Sequence, residues 1–231
     1  MNYRLAIIED DDLLRENYTD VFGRQGYRVD AYANRQQAQE VFQSRLPDLA
    51  IIDIGLGDEV DGGFALCQWL RAKSRTLPII FLSARDDDID IVSGLSMGAD
   101  DYLTKDVSLP HLVARVAAFC RRMEALASGE DSSTMTISEG PLDMDVQRLT
   151  CRWNGVVIAV TWTEFWRIYA LAKRIGHVKS REQLMQEAHM VADESTITSH
   201  IKRTRRKFKL LDQKLDCIET VYGMGYRWNS H

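Results

Sequence analysis

Between residues 5 and 104 the chain passes five times from a short apolar run into a stretch of helical periodicity, and this alternation constrains the fold more than any other feature. The runs are residues 5–8, 27–31, 49–52, 79–82 and 101–104, and the amphipathic stretches fall near 12–25, 34–45, 63–74, 86–97 and 108–123. Repeated strand–helix units satisfy both their apolar faces when the strands lie parallel in one sheet and the helices cover its two sides. Leu49-Ala50-Ile51-Ile52 and Ile79-Ile80-Phe81-Leu82 are apolar without alternation, as strands buried on both faces should be. The expected fold of the first half is therefore α/β, with five parallel strands.

The pattern stops after residue 122. The segment 127–133, Ala-Ser-Gly-Glu-Asp-Ser-Ser, is small, polar and acidic, so residues 123–137 are expected to be a linker between a domain at 1–122 and another at 138–231. The second half opens with strands at 149–153 and 156–160 around Asn154-Gly155, a signal for a type I′ hairpin. Thr161-x-x-Glu164 reads as a capping box at the start of a helix, and Ser180-x-x-Gln183 opens a second. A third helix is expected from about Thr196 to Lys209, and a last hairpin around Gly223-Met224-Gly225. This is an α+β domain, and helices followed by a terminal hairpin suit a winged helix.

The net charge of −5 hides a division. Residues 1–122 carry 20 acidic and 14 basic side chains, a net of −6, whereas residues 138–231 carry 11 acidic and 15 basic ones, a net of +4. Two halves of opposite sign suggest different partners, and the acidity of the whole does not exclude nucleic acid. Cys67, Cys120, Cys151 and Cys217 are far apart and form no CxxC, which favours reduced thiols over a metal or disulfide framework. No apolar run approaches the roughly 20 residues that cross a bilayer, and the first residues lack the pattern of a secretory signal, so a cytoplasmic location with no membrane partner is expected.

In an open α/β sheet, ligands bind beyond the carboxyl ends of the strands. Those ends carry Glu9, Asp10, Asp53, Ser83 and Lys105. Acids gathered there repel one another, and a hard divalent cation such as Mg2+ relieves the repulsion. An aspartate can also accept a phosphoryl group covalently, with a lysine and a hydroxyl holding the phosphoryl oxygens. By spacing alone, a solvated acidic rim is an equal alternative.

The motifs Ile7-Ile8-Glu9-Asp10-Asp11, Asp48-Leu49-Ala50-Ile51-Ile52-Asp53, Ile79-Ile80-Phe81-Leu82-Ser83-Ala84-Arg85 and Gly98-Ala99-Asp100-Asp101-Tyr102-Leu103-Thr104-Lys105 occur in the order found in response-regulator receiver domains, which the first 120 or so residues resemble. The resemblance implies a doubly wound sheet with Asp53 as phospho-acceptor. It implies Mg2+ held by Asp10, Asp53 and the Gly55 carbonyl with help from Glu9, phosphoryl oxygens held by Lys105 and Ser83, and Ser83 and Tyr102 as a switch pair. Asp11 and Asp12 are expected to cap the first helix. The sequence departs from the family in two places. Asp106 replaces the usual proline after the lysine; a cis bond to a non-proline residue costs about 3 kcal/mol, and the sequence leaves open whether the Lys105–Asp106 bond is cis or trans. The loop 55–63 also lacks a proline and is one residue longer. The same resemblance implies a homodimer on phosphorylation through the fourth helix, fifth strand and fifth helix. Asp100, Asp101, Arg115 and Arg122 fall at charge-pair positions of that face, and Ile91 and His111 replace a further pair. Ile91 would add apolar area there, with packing inside its own domain as the alternative, and His111 would make the contact pH-sensitive if a charge lies near it.

Between residues 202 and 209 six of eight side chains are basic. On a helix, Ile197, Ile201, Thr204 and Phe208 fall together as a packing face, with Ser195, Ser199, Lys202, Arg203 and Arg206 opposite. That opposite face is expected to enter a major groove, with His200 and Arg205 flanking it within reach of phosphates. A solvated charged face is the bland alternative. The motifs Thr161-Trp162-Thr163-Glu164-Phe165, Thr196-Ile197-Thr198-Ser199-His200-Ile201-Lys202-Arg203 and Ile218-Glu219-Thr220-Val221-Tyr222-Gly223-Met224-Gly225-Tyr226-Arg227-Trp228 resemble the OmpR/PhoB winged-helix domain. The last is its wing, where Arg227 is expected at the minor groove or a phosphate, and Tyr226 and Trp228 in the packing. The loops 55–63 and 105–112 are similar to those of regulators paired with a proteobacterial dedicated sortase system.

The sequence thus predicts a transcription regulator rather than an enzyme. A sensor histidine kinase and double-stranded promoter DNA are its expected partners, and RNA polymerase is a further one that this reading allows. Two rivals stay open: a DNA binder independent of phosphorylation whose receiver only dimerises, and a phosphotransfer protein or small phosphatase that does not use DNA. The basic helix speaks against the second.

Overall fold

The computed structural model describes residues 3–128, 136–187, 194–213 and 215–229. Packing divides the chain into two compact units, Met1–Ala117 and Ala118–His231.

In the first unit β1 (Arg4–Ile8), α1 (Asp12–Arg24), β2 (Arg28–Tyr32), α2 (Arg35–Phe42), β3 (Leu49–Ile52), α3 (Gly62–Lys73), β4 (Ile79–Ser83), α4 (Asp88–Met97), β5 (Asp101–Thr104) and the start of α5 (Leu109–Ser128) alternate as the apolar runs foretell. The strands are all parallel in the order β2-β1-β3-β4-β5. Every residue of β3 and β4 is buried, which explains why their sequences show no alternation. Asp11 caps α1, its side chain accepting from the Leu14 N–H. The order reverses between β1 and β3, and at such a switch point the loops at the strands' carboxyl ends diverge and leave a crevice. The N-terminus of α3 presses on the end of β3. A Cβ on Gly63 would lie 2.0 Å from the Asp53 carbonyl oxygen, so only glycine permits this approach.

The second unit holds an antiparallel sheet of β6 (Thr136–Glu139), β7 (Leu142–Asp145), β8 (Thr150–Trp153) and β9 (Val156–Ile158), then α6 (Trp162–Ala172), α7 (Arg181–Glu187), α8 (Glu194–Lys209), and the hairpin of β10 (Ile218–Val221) and β11 (Gly225–Trp228). Asn154 and Gly155 both take positive φ, +47° and +77°, as a type I′ turn requires. Thr161 and Glu164 form the reciprocal capping box, and Ser180 and Gln183 exchange the equivalent pair of bonds. Trp153, Phe208 and Trp228 meet edge-to-face at 5.4–6.4 Å between centroids and join the sheet, α8 and the hairpin in one core.

The expected linker is shorter than residues 123–137. α5 continues to Ser128, β6 begins at Thr136, and residues 129–135 lie outside the described residues. The β6–β7 pair is also absent from the sequence reading. Leu142-Asp143-Met144-Asp145 does alternate buried and less buried, but four residues give too short a period-two signal to stand out.

Candidate functional site

At the carboxyl ends of β1 and β3 the side chains of Glu9, Asp10 and Asp53 converge, each offering an oxygen within 4.8 Å of the others. Glu9 and Asp53 are buried and Asp10 is exposed. The Lys105 ammonium, following β5, donates to Asp53 Oδ2 and to Glu9 Oε1, both at 2.7 Å. Burial pushes the Glu9 carboxyl above its ordinary range against the pull of Lys105. Burial would lower the Lys105 ammonium, but its hydrogen bonds to Asp53 and Glu9 hold it above its usual value. The backbone contains no cis peptide bond among the described residues, so the Lys105–Asp106 bond, which the sequence leaves open, is trans. The lysine reaches the pocket nonetheless, because its N–H continues the β4–β5 ladder to the Ser83 carbonyl at 2.8 Å.

Gly55 follows β3 two residues after Asp53, and the Gly57 N–H donates to Asp10 Oδ2 at 3.0 Å, so the loop 55–63 is tied to the exposed acid. An all-oxygen set of few carboxylates, one open to solvent, fits a hard cation such as Mg2+.

Ser83 is buried at the end of β4, and its hydroxyl accepts from the Arg85 N–H at 3.3 Å. The Tyr102 ring is turned inward, 7 % exposed, between Phe81 and Gly94. Its hydroxyl donates to the Arg85 carbonyl at 2.9 Å and lies within hydrogen-bonding reach of Ser83, and burial pushes the phenol up to about 12. The Arg85 guanidinium meets Asp61 at 3.1 Å and the Val60 carbonyl at 2.5 Å on the long loop, and Asp90 on α4 at 3.5 Å.

The residues expected at a dimer face are mostly engaged within the chain. Asp100 is fully buried and binds Arg71 at 2.6 Å and the Ile79 N–H, so it is no surface half of an intermolecular pair. Asp101 and Arg115 are buried together at 3.2 Å. Ile91 packs against its own core, while its neighbours Ile89 and Val92 point outward, 79 % and 46 % exposed. His111 is exposed, and its Nε2 accepts from Arg115 Nε at 3.2 Å. Arg122, within the second unit, stacks 3.4 Å from the Trp166 ring centroid.

On α8 the six bases do not share one environment. Lys202, Arg206 and Lys209 are exposed, with Thr198 exposed and Ser199 half-buried beside them. Arg203, expected on the DNA side, turns inward onto Glu164 at 2.5 Å with its side chain 9 % exposed. His200, expected on a flank, is fully buried and pairs its Nδ1 with Arg203 Nη2 at 3.2 Å. For Arg203 the cause is the carboxylate of Glu164 on α6, which a helical wheel of α8 alone does not contain. Arg205 is half-buried and donates to the Ile218 carbonyl and Thr220 hydroxyl, each at 2.8 Å. Arg227 pairs across the last hairpin with Glu219 at 2.7 Å, its side chain 38 % exposed, and Tyr226 and Trp228 are buried. A groove of about 400 Å3 between α8 and this hairpin is lined by Lys202, Arg205, Tyr226 and also Arg181. Sequence reasoning does not single out Arg181, whose only signal is its place after the Ser180 cap.

Residues 5–117 match the family model of the response regulator receiver domain, and residues 155–228 that of the transcriptional regulatory protein C terminus. This pairing makes the chain a two-component response regulator with a receiver domain and a DNA-binding domain. It is 37% identical over 226 residues to the transcriptional regulatory protein AfsQ1 of Streptomyces coelicolor, with 96% of each chain covered. It is 33% identical over 230 residues to BaeR of Escherichia coli, covering 98% of this chain and 93% of that one. A solved structure of a RitR mutant shares the fold over the whole of both chains, with a TM-score of 0.81 at 22% identity. The chain belongs to the OmpR/PhoB family of response regulators. No helix among the described residues is long and apolar enough to cross a membrane.

Proposed function

We propose that Asp53 accepts a phosphoryl group from the phosphohistidine of a partner sensor kinase in the cytoplasm, and that the phosphorylated receiver pairs with a second copy and raises the affinity of the winged helix for paired half-sites in promoter DNA, next to RNA polymerase. The observation that carries this reading is Lys105, which bridges Asp53 and Glu9 at 2.7 Å in the switch-point pocket.

In the transfer, the bond from phosphorus to the kinase imidazole nitrogen breaks as a bond forms to an Asp53 carboxylate oxygen, and the nitrogen keeps the electron pair. Transfer of this kind depends on positioning and charge neutralisation. Mg2+, held by Glu9, Asp10, Asp53 and the Gly55 carbonyl, would supply charge for the phosphoryl oxygens. Lys105 stands ready to move from the carboxylate to an incoming oxygen, and the Ser83 hydroxyl can donate to another. The inward Tyr102 ring and the Ser83 hydroxyl beside it would form the switch pair.

Acetyl phosphate with Mg2+ should add one phosphoryl group to the chain, read by mass, and Asp53→Asn should remove the addition. Labelling that persists in Asp53→Asn sinks the assignment. DNA affinity that is the same with and without phosphoryl donor would favour the rival in which the receiver is only a dimerisation module.

A further inference from the structure

The basic run of α8 is divided by one buried acid. Glu164 is fully buried at the first turn of α6, where its Oε2 accepts from the Thr161 N–H at 2.8 Å. Its two oxygens also receive Arg203 Nε and Lys207 Nζ, each at 2.5 Å. The Arg203 guanidinium is further held by the Thr161 hydroxyl at 3.0 Å, and Lys207 by the Ala159 carbonyl at 2.5 Å. Burial alone would push the Glu164 carboxyl up, but Arg203, Lys207 and Thr161 together keep it below the ordinary range, so the anion persists at neutral pH. A buried, ionised carboxylate holds its cations in place, because withdrawing them leaves it uncompensated.

What remains on the outside is ordered. Lys202, Arg206 and Lys209 are exposed, and their spacing of four and three residues sets them in one stripe along the helix. No ion pair involves these three among the described residues.

We infer that Glu164 is the positioning residue of the DNA interface: it draws Arg203 and Lys207 into the domain, so that α8 offers duplex DNA the stripe Lys202, Arg206 and Lys209 rather than all its bases. The inference rests on α8 being the DNA-binding helix. It deepens that reading by assigning five of the six bases to the backbone of DNA or to the inside of the protein. Arg203 and Lys207 fix the rotation of α8 about its axis, and the stripe meets the phosphates.

Salt dependence separates the two roles, since each phosphate neutralised contributes about 0.9 to the slope of log K against log salt. The test measures binding of the full chain to a mixed-sequence DNA duplex over a salt series, with thermal melts to check folding. Lys202→Ala, Arg206→Ala and Lys209→Ala should each make the slope shallower by about 0.9. Arg203→Ala and Lys207→Ala should weaken binding at every salt concentration while leaving the slope at its wild-type value. Glu164→Gln should steepen it by about one to two, as the released bases find phosphates. A lowered melting temperature with unmoved slope in Glu164→Gln would mean a merely structural acid and overturn the inference. If that variant does not fold, the Arg203 and Lys207 variants decide: a slope reduced as much as in Lys202→Ala overturns the inference alone. Slopes unmoved in all three stripe variants would overturn both the inference and the DNA role of α8.

Discussion

The Tyr102 hydroxyl donates to the backbone carbonyl of Arg85 at 2.9 Å, which fixes the ring inside the receiver beside α4. The place is open because residue 94 has no side chain: a Cβ there would sit 3.0 Å from Tyr102 Cδ2 and 3.1 Å from Phe81 Cδ2. Gly94→Val should drive the ring outward, at an overpacking cost of about 1–3 kcal/mol. A phenol held at about 12 by burial should then titrate closer to the ordinary value of about 10, which NMR of labelled tyrosine can follow. An unmoved titration would show that the core gives way instead of the ring.

If phosphorylated receivers pair through α4 as proposed, a second receiver would meet its exposed apolar residues. Because Ile91 packs inward, Ile89 and Val92 are the groups to alter. Ile89→Arg with Val92→Arg should reduce dimer formation by the phosphorylated chain in sedimentation while leaving its stability nearly unchanged. Ile91→Arg should instead destabilise the receiver by about 1–3 kcal/mol. The opposite pattern would place the contact elsewhere.

Glu164 also sets a pH dependence. Its folded pKa lies below the unfolded one, so its contribution to stability is fully present above the ordinary value of about 4.3 and is lost as pH falls below it. Glu164→Gln strands two inward-turned cations and should cost about 3 kcal/mol or more at neutral pH, with the gap to wild type closing toward pH 3. Four of the five tryptophans lie in the second unit, so denaturation followed by tryptophan fluorescence reports chiefly on it. A gap that stays constant between pH 7 and about pH 3 would contradict the buried pairing.

All four cysteines are free and buried, and burial pushes the Cys151 and Cys217 thiols up to about 12. The thiolate is the reactive form, so both should resist a thiol reagent at about pH 8 until the domain opens, and all four should react at once in denaturant. A rapid native reaction at either position would refute the packing of β8 or β10.

The receiver was legible in sequence because its signals are local. Buried parallel strands are continuous apolar runs, and Glu9, Asp10, Asp53, Ser83 and Lys105 each stand at a strand's end, so topology alone brings them together. The basic helix was not legible in the same way. A wheel assigns Ile197, Ile201 and Phe208 correctly to the core, but it is blind to a charge from another helix, and Arg203 and Lys207 answer to Glu164 from 39 and 43 residues away. Asp100 misled for the same reason: its partner Arg71 lies on α3, a relationship of packing and not of spacing. The four residues of β7 were too few to signal a strand, and α5 outran its expected end near residue 123, with Met123, Ala125 and Leu126 half-buried beyond or at it.

Arg85 answers to two neighbours at once, with its carbonyl on Tyr102 and its guanidinium on Val60 and Asp61. The Tyr102 ring and the loop 55–63 are therefore both tied to one residue. They share an anchor, so a displacement of the loop that moves the Arg85 guanidinium is expected to be felt at the Tyr102 hydroxyl as well.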